Sequence, residues 1–207
     1  MHKIIEGFYR GELKQEEMVT KFLFDFQKEV RGDRPQESTV NKYIQAGVSY
    51  LQQFKPFPYN MVDVEKKVDF TIDGIPFKGF IDYLGEKDGE LYIVDNKSRN
   101  LQPRRKSGKK TAKDIELDNM LRQLYLYAAA VKQEYGKFPK ALCFNCFRSG
   151  VFIEEPFSLD AYTESVSWAK GLVESIMDEE DFSPNIEYFG CYYICGVSEE
   201  CCYWNTR

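Results

Sequence analysis

Apolar residues in the first half of the chain recur at two spacings, and each spacing predicts one kind of element. Recurrence every three or four residues predicts helices over residues 2–30 and 38–54. Alternation of apolar and polar residues predicts an antiparallel meander of strands over residues 61–72, 76–84 and 90–97. Three sets of breaking residues separate these elements: Gly32-Asp33-Arg34-Pro35, Asp73-Gly74 and Asp88-Gly89.

The second half continues to alternate helix and strand. An apolar stripe from Leu117 to Val131 predicts a helix that ends near Gly136, and residues 141–147 and 151–157 read as strands. Helical spacing returns over residues 160–178. The pattern predicts an α/β fold with a central mixed sheet of about five strands flanked by helices. We expect one domain over residues 1–207, with a cysteine-rich tail at about 182–207.

The hairpin around Asp88-Gly89 brings two acids and a lysine together. With that pair as a two-residue turn, residue i faces residue 177 − i, so Asp82 is predicted to lie opposite Asp95. Lys97 projects on the same side of its strand as Asp95, because side chains two apart share a face. Two carboxylates about 5 Å apart beside an ammonium group predict a site for a divalent cation.

The alternative is a salt bridge on a solvated sheet face, which is the commoner fate of charged residues on strands. The run from Leu91 to Val94 is apolar at every position, as in an inner strand covered on both faces. Asp95 and Lys97 then lie where a buried strand emerges. Acids in that position are more often functional, so the metal site is the favoured interpretation.

Four motifs in this order resemble one known family. They are His2 on an early helix, Gly79-x-Ile81-Asp82, Ile93-Val94-Asp95-x-Lys97 and Gln123-x-x-x-Tyr127. The chain resembles a RecB-type nuclease of the PD-(D/E)XK superfamily from His2 to about Cys202. The resemblance implies a restriction-endonuclease-like core and metal-dependent hydrolysis of DNA, with a DNA end as substrate in recombination, repair or phage DNA processing.

The resemblance also implies a role for each motif residue. Mg²⁺ or Mn²⁺ would be held by His2, Asp82, Asp95 and the carbonyl of Asn96, and the imidazole favours Mn²⁺. Lys97 would orient the attacking water or offset charge on the phosphate. Gln123 and Tyr127 share a helix face and would support the metal site or contact the nucleic acid, the alternative being ordinary packing at the core margin. Glu65 is a secondary candidate. Members of this family usually carry a segment, often with a Cys-Pro, before this histidine. In this sequence the histidine is already residue 2, so we expect a shortened chain or a divergent start.

Cysteines form a second group of candidate metal ligands. Cys191, Cys195 and Cys201 resemble the cysteine cluster of the iron–sulfur subgroup of these nucleases, which would imply a 4Fe-4S cluster in the intact protein. The spacing from Cys191 to Cys195 is one residue longer than in that subgroup. Zinc or a disulfide are the alternatives. Cys143 and Cys146, three apart on a predicted strand, are predicted to be small core residues on opposite faces.

The chain carries 28 basic and 33 acidic residues, a net charge of −5, which argues against a general nucleic-acid binder. Residues 99–113, here called the basic loop, nevertheless hold seven basic residues and no acid. A cationic loop beside a phosphodiesterase centre would neutralise backbone phosphates, and the alternative is a solvated bystander. The candidate DNA-binding residues are Arg104, Arg105, Lys106, Lys109 and Lys110.

The length suits one substantial core, and no apolar run approaches the roughly 18 residues of a membrane span. No export signal is visible, so we expect a cytoplasmic protein with DNA as its partner and no membrane. Two other interpretations stay open. The chain could be a non-catalytic DNA-binding remnant of the nuclease fold, or an interaction module whose metal chemistry is confined to the cysteine tail.

Overall fold

The computed structural model describes residues 1–29, 36–105, 108–181 and 183–204. The predicted break at residues 32–35 therefore lies outside the described residues. The chain divides into two compact units, Met1–Trp168 and Ala169–Arg207. None of the described helices is both long enough and apolar enough to cross a membrane.

Five strands form one mixed sheet in the order in which they occur along the chain. The meander consists of β1 (Asn60–Ile72), β2 (Ile75–Lys87) and β3 (Glu90–Lys97). Strand β4 (Ala141–Cys146) runs parallel to β3, and β5 (Val151–Pro156) is antiparallel to β4. The α/β fold with a five-stranded mixed sheet, predicted from the sequence, is confirmed.

Both predicted turns of the meander are confirmed. Asp73 and Asp88 have φ angles of 49° and 55°, and the glycines that follow them have φ angles of 83° and 76°. Two consecutive left-handed residues make a type I′ turn, whose twist matches that of the flanking strands. The Asp88-Gly89 turn fixes which residues of β2 and β3 face each other.

The N-terminal region differs from the prediction of one helix over residues 2–30. It contains α1 (His2–Tyr9), a 3₁₀ turn (Gln15–Glu17) and α2 (Met18–Glu29). The break follows α1 because Gly11 adopts a φ of 73°, which ends the helical turn. Helix α3 (Glu37–Gln52) then precedes the sheet. The spacing of apolar residues alone does not reveal such a break, because the same spacing continues in α2.

Helix α4 (Ala112–Tyr135) connects β3 to its parallel neighbour β4. Thr111 and Asp114 form a capping box at its start, and Gly136, in the left-handed conformation, ends it as predicted. Leu121 and Leu124 of α4 pack against Ile93 of β3 in the largest core cluster. A parallel strand pair requires a long crossover of this kind.

The opposite face of the sheet is covered by the N-terminal region. Tyr92 and Val94 of β3 belong to a second cluster, against which Tyr9 of α1 packs. Cys143 lies in this second cluster, whereas Cys146 lies in the cluster of α4, and both are fully buried. The prediction that they are small core residues on opposite faces is confirmed.

The unit from Ala169 to Arg207 begins within α5 (Leu159–Asp178), which matches the predicted helix over residues 160–178. Two short turns follow, a π-helical turn (Gly190–Ile194) and a 3₁₀ turn (Ser198–Glu200). The rings of Tyr188 and Tyr192 stack with centroids 5.5 Å apart. The cysteines of the tail thus lie on and between short turns.

Candidate active site

The paired part of the β2–β3 ladder ends just before the two candidate acids. Its pairs run from Lys87 opposite Glu90 to Tyr83 opposite Val94, which confirms the predicted register. Asp82 does not continue the ladder as a pair with Asp95. Its Oδ2 instead accepts a hydrogen bond of 2.7 Å from the backbone N–H of Asn96. A carboxylate therefore takes the place of a ladder carbonyl where the strands part.

Asp95 is a buried acid with an oxygen free of hydrogen bonds. The residue is 5% exposed, and within the described part of the chain its Oδ2 accepts no hydrogen bond. Lys97 Nζ lies 2.9 Å from this oxygen and forms an ion pair with it. Burial and the nearby charge of Asp82 raise the pKa of Asp95 to about 6, even though Lys97 opposes both. This oxygen is ready to accept a cation or a proton.

Three of the sequence motifs are joined by a chain of contacts that begins at Lys97. Its ammonium group donates to Gln123 Oε1 at 3.1 Å, and Gln123 Nε2 donates to the Tyr127 hydroxyl at 3.0 Å. A Cβ at Gly79 would lie 2.5 Å from Cε1 of the Tyr127 ring. Only glycine at that position leaves room for the ring. The glycine, tyrosine and glutamine together hold the lysine in place.

His2 contacts two of the other candidate ligands. Its Nε2 lies 2.8 Å from the carbonyl oxygen of Asn96 and 3.4 Å from Asp82 Oδ2. Both neighbours are acceptors, so Nε2 carries the proton in this arrangement. Hydrogen bonding to Asp82 raises the pKa of His2, partly opposed by burial. The proton occupies the position that a cation bound to all three groups would take.

Glu65 belongs to the same cluster of charges. Burial raises its pKa, and the charges of Asp82 and Glu6 raise it further. Its φ of 50° is in the left-handed region, which costs a non-glycine residue on the order of 1 kcal/mol or more. Strain of this kind persists where the surrounding structure enforces it, as at functional sites. The structure therefore strengthens Glu65 as a candidate and brings Glu6, which the sequence reasoning missed, near it.

Asn145 is a second residue that the sequence reasoning missed. Asn145 pairs with Asn96 across the parallel strands, and its Nδ2 donates to Asn96 Oδ1 and to the Tyr50 hydroxyl, each at 2.7 Å. The side chain of Asn96 is thereby fixed, which leaves its carbonyl directed towards His2. The available signal was a lone polar residue in an otherwise apolar strand next to the acid motif.

The candidate DNA-binding residues of the basic loop fall into two groups. Arg104 is paired with Asp118 at 2.7 Å and with Glu155 at 3.0 Å, and Lys110 is paired with Asp118 at 2.9 Å. These contacts tie the loop to α4 and β5. Arg105 and Lys109 are exposed, and Lys106 lies outside the described residues. Internal ion pairs make Arg104 a weaker candidate for phosphate binding than Arg105 or Lys109.

The candidate iron–sulfur ligands do not come together in the described structure. All six cysteines there are free, Cys195 and Cys202 are exposed, and Cys191 and Cys201 are half-buried. In the described residues no three His, Cys, Asp or Glu side chains form a group that could hold a metal ion. An iron–sulfur cluster takes four protein ligands, so the tail residues as arranged do not fit one.

The donors at the end of β2 and β3 fit Mg²⁺ or Mn²⁺ only with ligands from outside the protein, since in the described residues His2, Asp82 and Asp95 also form no group of three metal-binding side chains. Mg²⁺ is commonly bound through one or two carboxylates, with water and substrate phosphate completing its octahedron. Asp82, Asp95 and the Asn96 carbonyl supply the hard oxygens, and the free Oδ2 of Asp95 is the observation that favours a cation here. We call Asp82, Asp95, Asn96 and Lys97 the acid site.

Comparison with known proteins identifies a family for the chain. No curated protein matches the chain. A family profile described as the PD-(D/E)XK nuclease superfamily matches residues 1–202. Because this match spans nearly the whole sequence, including both acids and the lysine, the chain belongs to the PD-(D/E)XK nuclease superfamily.

Proposed function

We propose that this protein is a divalent-metal-dependent nuclease that hydrolyses phosphodiester bonds of DNA at the acid site. The observation that carries the proposal is the buried carboxylate of Asp95, which has an oxygen free of hydrogen bonds and an ammonium group 2.9 Å away. Buried charges are paired or coordinate metals, and here one ammonium group faces two neighbouring acids, which leaves negative charge for a cation to neutralise.

Each residue of the site has a role in this proposal. Asp82, Asp95, the Asn96 carbonyl and His2 hold one or two Mg²⁺ or Mn²⁺ ions. A bound ion of this kind lowers the pKa of a coordinated water and polarises the scissile phosphate. Lys97 orients the attacking water or stabilises charge that develops on the phosphate oxygens. Its position is set by Gln123, which is held by Tyr127.

Glu65 is proposed as an auxiliary acid of the same site. Burial raises its pKa most, and the charges of Asp82 and Glu6 raise it further, so a cation bound at Asp82 would favour its ionised form. The carboxylate then adds to the negative potential that retains the metal. We assign it a supporting role because the cluster around it includes Arg10, which lowers that pKa.

The order of the four motifs supports a RecB-type enzyme, and we propose a DNA end as its substrate. An exonuclease of this kind would act in recombination, repair or phage DNA processing. Arg105 and Lys109 of the basic loop are proposed to contact backbone phosphates. A protein with a negative net charge needs local positive charge of this kind to bind the phosphates of DNA. Arg104 and Lys110 would hold the loop in position through Asp118.

The test is cleavage of a labelled linear DNA by Asp82→Asn, with Asp88→Asn as a matched control in the same hairpin. Asp82→Asn removes a metal ligand with little change of volume, so cleavage in Mg²⁺ or Mn²⁺ should be lost. Asp88 lies in the type I′ turn, where Asn is well tolerated, so the control should cleave normally.

Two results would contradict the proposal. Cleavage at the wild-type rate by Asp82→Asn would place the chemistry elsewhere. A wild-type protein that binds DNA but does not cleave it in either metal would identify a non-catalytic member of the fold. Melting temperatures of both variants establish that any loss is not due to unfolding.

A further inference from the structure

A cavity of about 630 Å³ lies between the end of α3, residues 54–58 and the turn from β4 to β5. Five aromatic residues line it; Phe54 and Phe57 are buried in the core, whereas Tyr50, Phe147 and Phe152 keep exposed surface. The volume is in the range of roughly 300–1,000 Å³ that is usual for small-molecule sites. Phe152 is 38% exposed, so part of the aromatic surface is open to a ligand. We call this cavity the aromatic pocket.

The charge of the pocket differs from that of the whole protein. Lys55 and Arg148 line it, and none of the described lining residues is acidic, although the chain has a net charge of −5. The Arg148 guanidinium lies 4.4 Å from the centroid of the Tyr43 ring, which holds it while its side chain stays exposed. Aromatic rings with cations at the rim match a flat base that carries a phosphate.

The pocket shares two wall residues with the surroundings of the acid site. Asn145 lines the pocket and donates to Asn96, the residue between Asp95 and Lys97. Phe147 lines it as well, and its ring is 5.9 Å from that of His2 and 6.2 Å from that of Tyr50. A ligand in the pocket is therefore a near neighbour of a phosphate at the acid site.

We propose that the aromatic pocket binds an unpaired nucleotide of the DNA strand that is being cut. This inference rests on the proposed nuclease function and specifies its substrate as a strand that is single at the site. The base lies against the aromatic rings, and its phosphate lies near Lys55 and Arg148. A paired base cannot enter a concave pocket without leaving its stack, so the pocket selects single strands or frayed ends.

The experiment measures equilibrium binding of a single-stranded oligonucleotide and of the blunt duplex of the same sequence. Asp82→Asn serves as the parent because we expect it to bind DNA without cutting it. The double variant Phe152→Leu with Arg148→Gln removes one ring and one cation of the pocket. We expect it to weaken single-strand binding roughly tenfold, the usual size of one stacked base, and to leave duplex affinity within about twofold.

The matched control is Phe24→Leu with Lys87→Gln, which removes an exposed ring and an exposed charge outside the pocket. It should leave both affinities unchanged. A 2-aminopurine base in the oligonucleotide should be quenched on binding, and less so with the pocket variant. The single variant Arg148→Gln repeats the test on a surface residue if the double variant melts early.

Equal weakening of single-strand and duplex binding, or no weakening, would overturn the inference. So would competition by a free mononucleotide as strong as that by the oligonucleotide, since the pocket would then retain a product. These binding measurements do not require cleavage. A wild-type protein that does not cleave DNA therefore refutes the nuclease proposal alone. A wild-type protein that cleaves DNA, together with a pocket variant whose single-strand affinity is unchanged, refutes the pocket proposal alone.

Discussion

The acid site and the cysteines of the tail are both predicted from sequence spacing as metal sites, yet they are built differently. Asp82 and Asp95 lie on neighbouring strands whose register is fixed by a tight turn. Cys191, Cys195 and Cys201 lie on or beside two short turns, and they do not form a group of ligands in the described structure. A ladder with a fixed register converts sequence spacing into a defined distance, whereas short turns do not.

The two metals also make different demands on the chain. Mg²⁺ needs few protein donors, because water and phosphate complete its shell. An iron–sulfur cluster takes all four of its ligands from the protein, so each cysteine must be placed. An acid pair with one carbonyl meets the first requirement, whereas three cysteines on separate turns do not meet the second.

The sharpest way to test the acid site is Lys97→Ala, because it should separate a large loss of turnover from metal binding. Removing the ammonium group should lower turnover about a hundredfold or more, because it acts on charge in the transition state. Calorimetric Mn²⁺ affinity should be unchanged or slightly tighter, since Lys97 competes for Asp95 Oδ2. A large loss of Mn²⁺ binding would instead make Lys97 a structural residue.

Asp95→Asn should raise stability while it removes activity. The folded-state pKa of Asp95 is raised from 3.8 to about 6, so its unfavourable ionisation is absent below the lower value and complete above the higher one. Without metal at pH 8, the free energy of unfolding of the variant should exceed that of the wild type by on the order of 1–3 kcal/mol. Each kcal/mol should raise the melting temperature by roughly 2–4 °C.

The difference in melting temperature should shrink as the pH falls from 6 towards 4. Excess Mn²⁺ should raise the melting temperature of the wild type more than that of the variant. A variant that melts below the wild type in EDTA at pH 8 would mean that the ion pair with Lys97 outweighs the burial of Asp95.

Gly79→Ala tests the contacts that position Lys97. The added methyl group must displace the Tyr127 ring, which releases Gln123 and loosens the lysine. We expect kcat to fall about tenfold with KM little changed, because the groups affected act through Lys97. Gly171→Ala is the matched control, since a Cβ there meets open space. Equal kinetics for the two variants would show that the glycine has no positioning role.

The smallest effect is expected in the tail. The triple variant Cys191→Ser, Cys195→Ser and Cys201→Ser should keep nuclease activity within about twofold of the wild type. Exposed or half-buried residues on short turns contribute little to the stability of the fold. Iron and sulfide analysis of anaerobically purified wild-type protein provides the second readout. About four irons per chain, lost in the triple variant, would contradict the present view and would make the tail a cluster site.

The sequence predicts the meander well because its signals are local. Asp73-Gly74 and Asp88-Gly89 each force a type I′ turn, and strand register follows directly from the turn. The single helix over residues 2–30 fails because one glycine, Gly11, breaks it while the apolar period continues. Periodicity reports which face is buried and carries little information about where the backbone turns.

The candidate site is predictable only in part, since the ladder stops before the expected pair of Asp82 with Asp95. Asp82, Asp95 and Lys97 follow from register, and the sequence alone places Gln123 and Tyr127 on one helix face. The hydrogen bond from Asn96 to Asp82 depends on where a ladder ends, and the left-handed Glu65 interrupts a strand whose neighbours stay paired; no residue pattern encodes either feature. Asn145 reaches the site only through the parallel pairing of β3 with β4, a contact between distant parts of the chain.

The tight turn at Asp88-Gly89 also limits how relatives of this protein can vary in length. One residue inserted there would shift β3 by one position and turn Asp95 and Lys97 to the opposite face of the sheet. The length of the connection from Ser98 to Thr111 does not set the register of any strand pair, because this connection joins a strand to a helix. Insertions and deletions among relatives should therefore collect in that connection, while the distance in sequence from Asp82 to Asp95 stays constant.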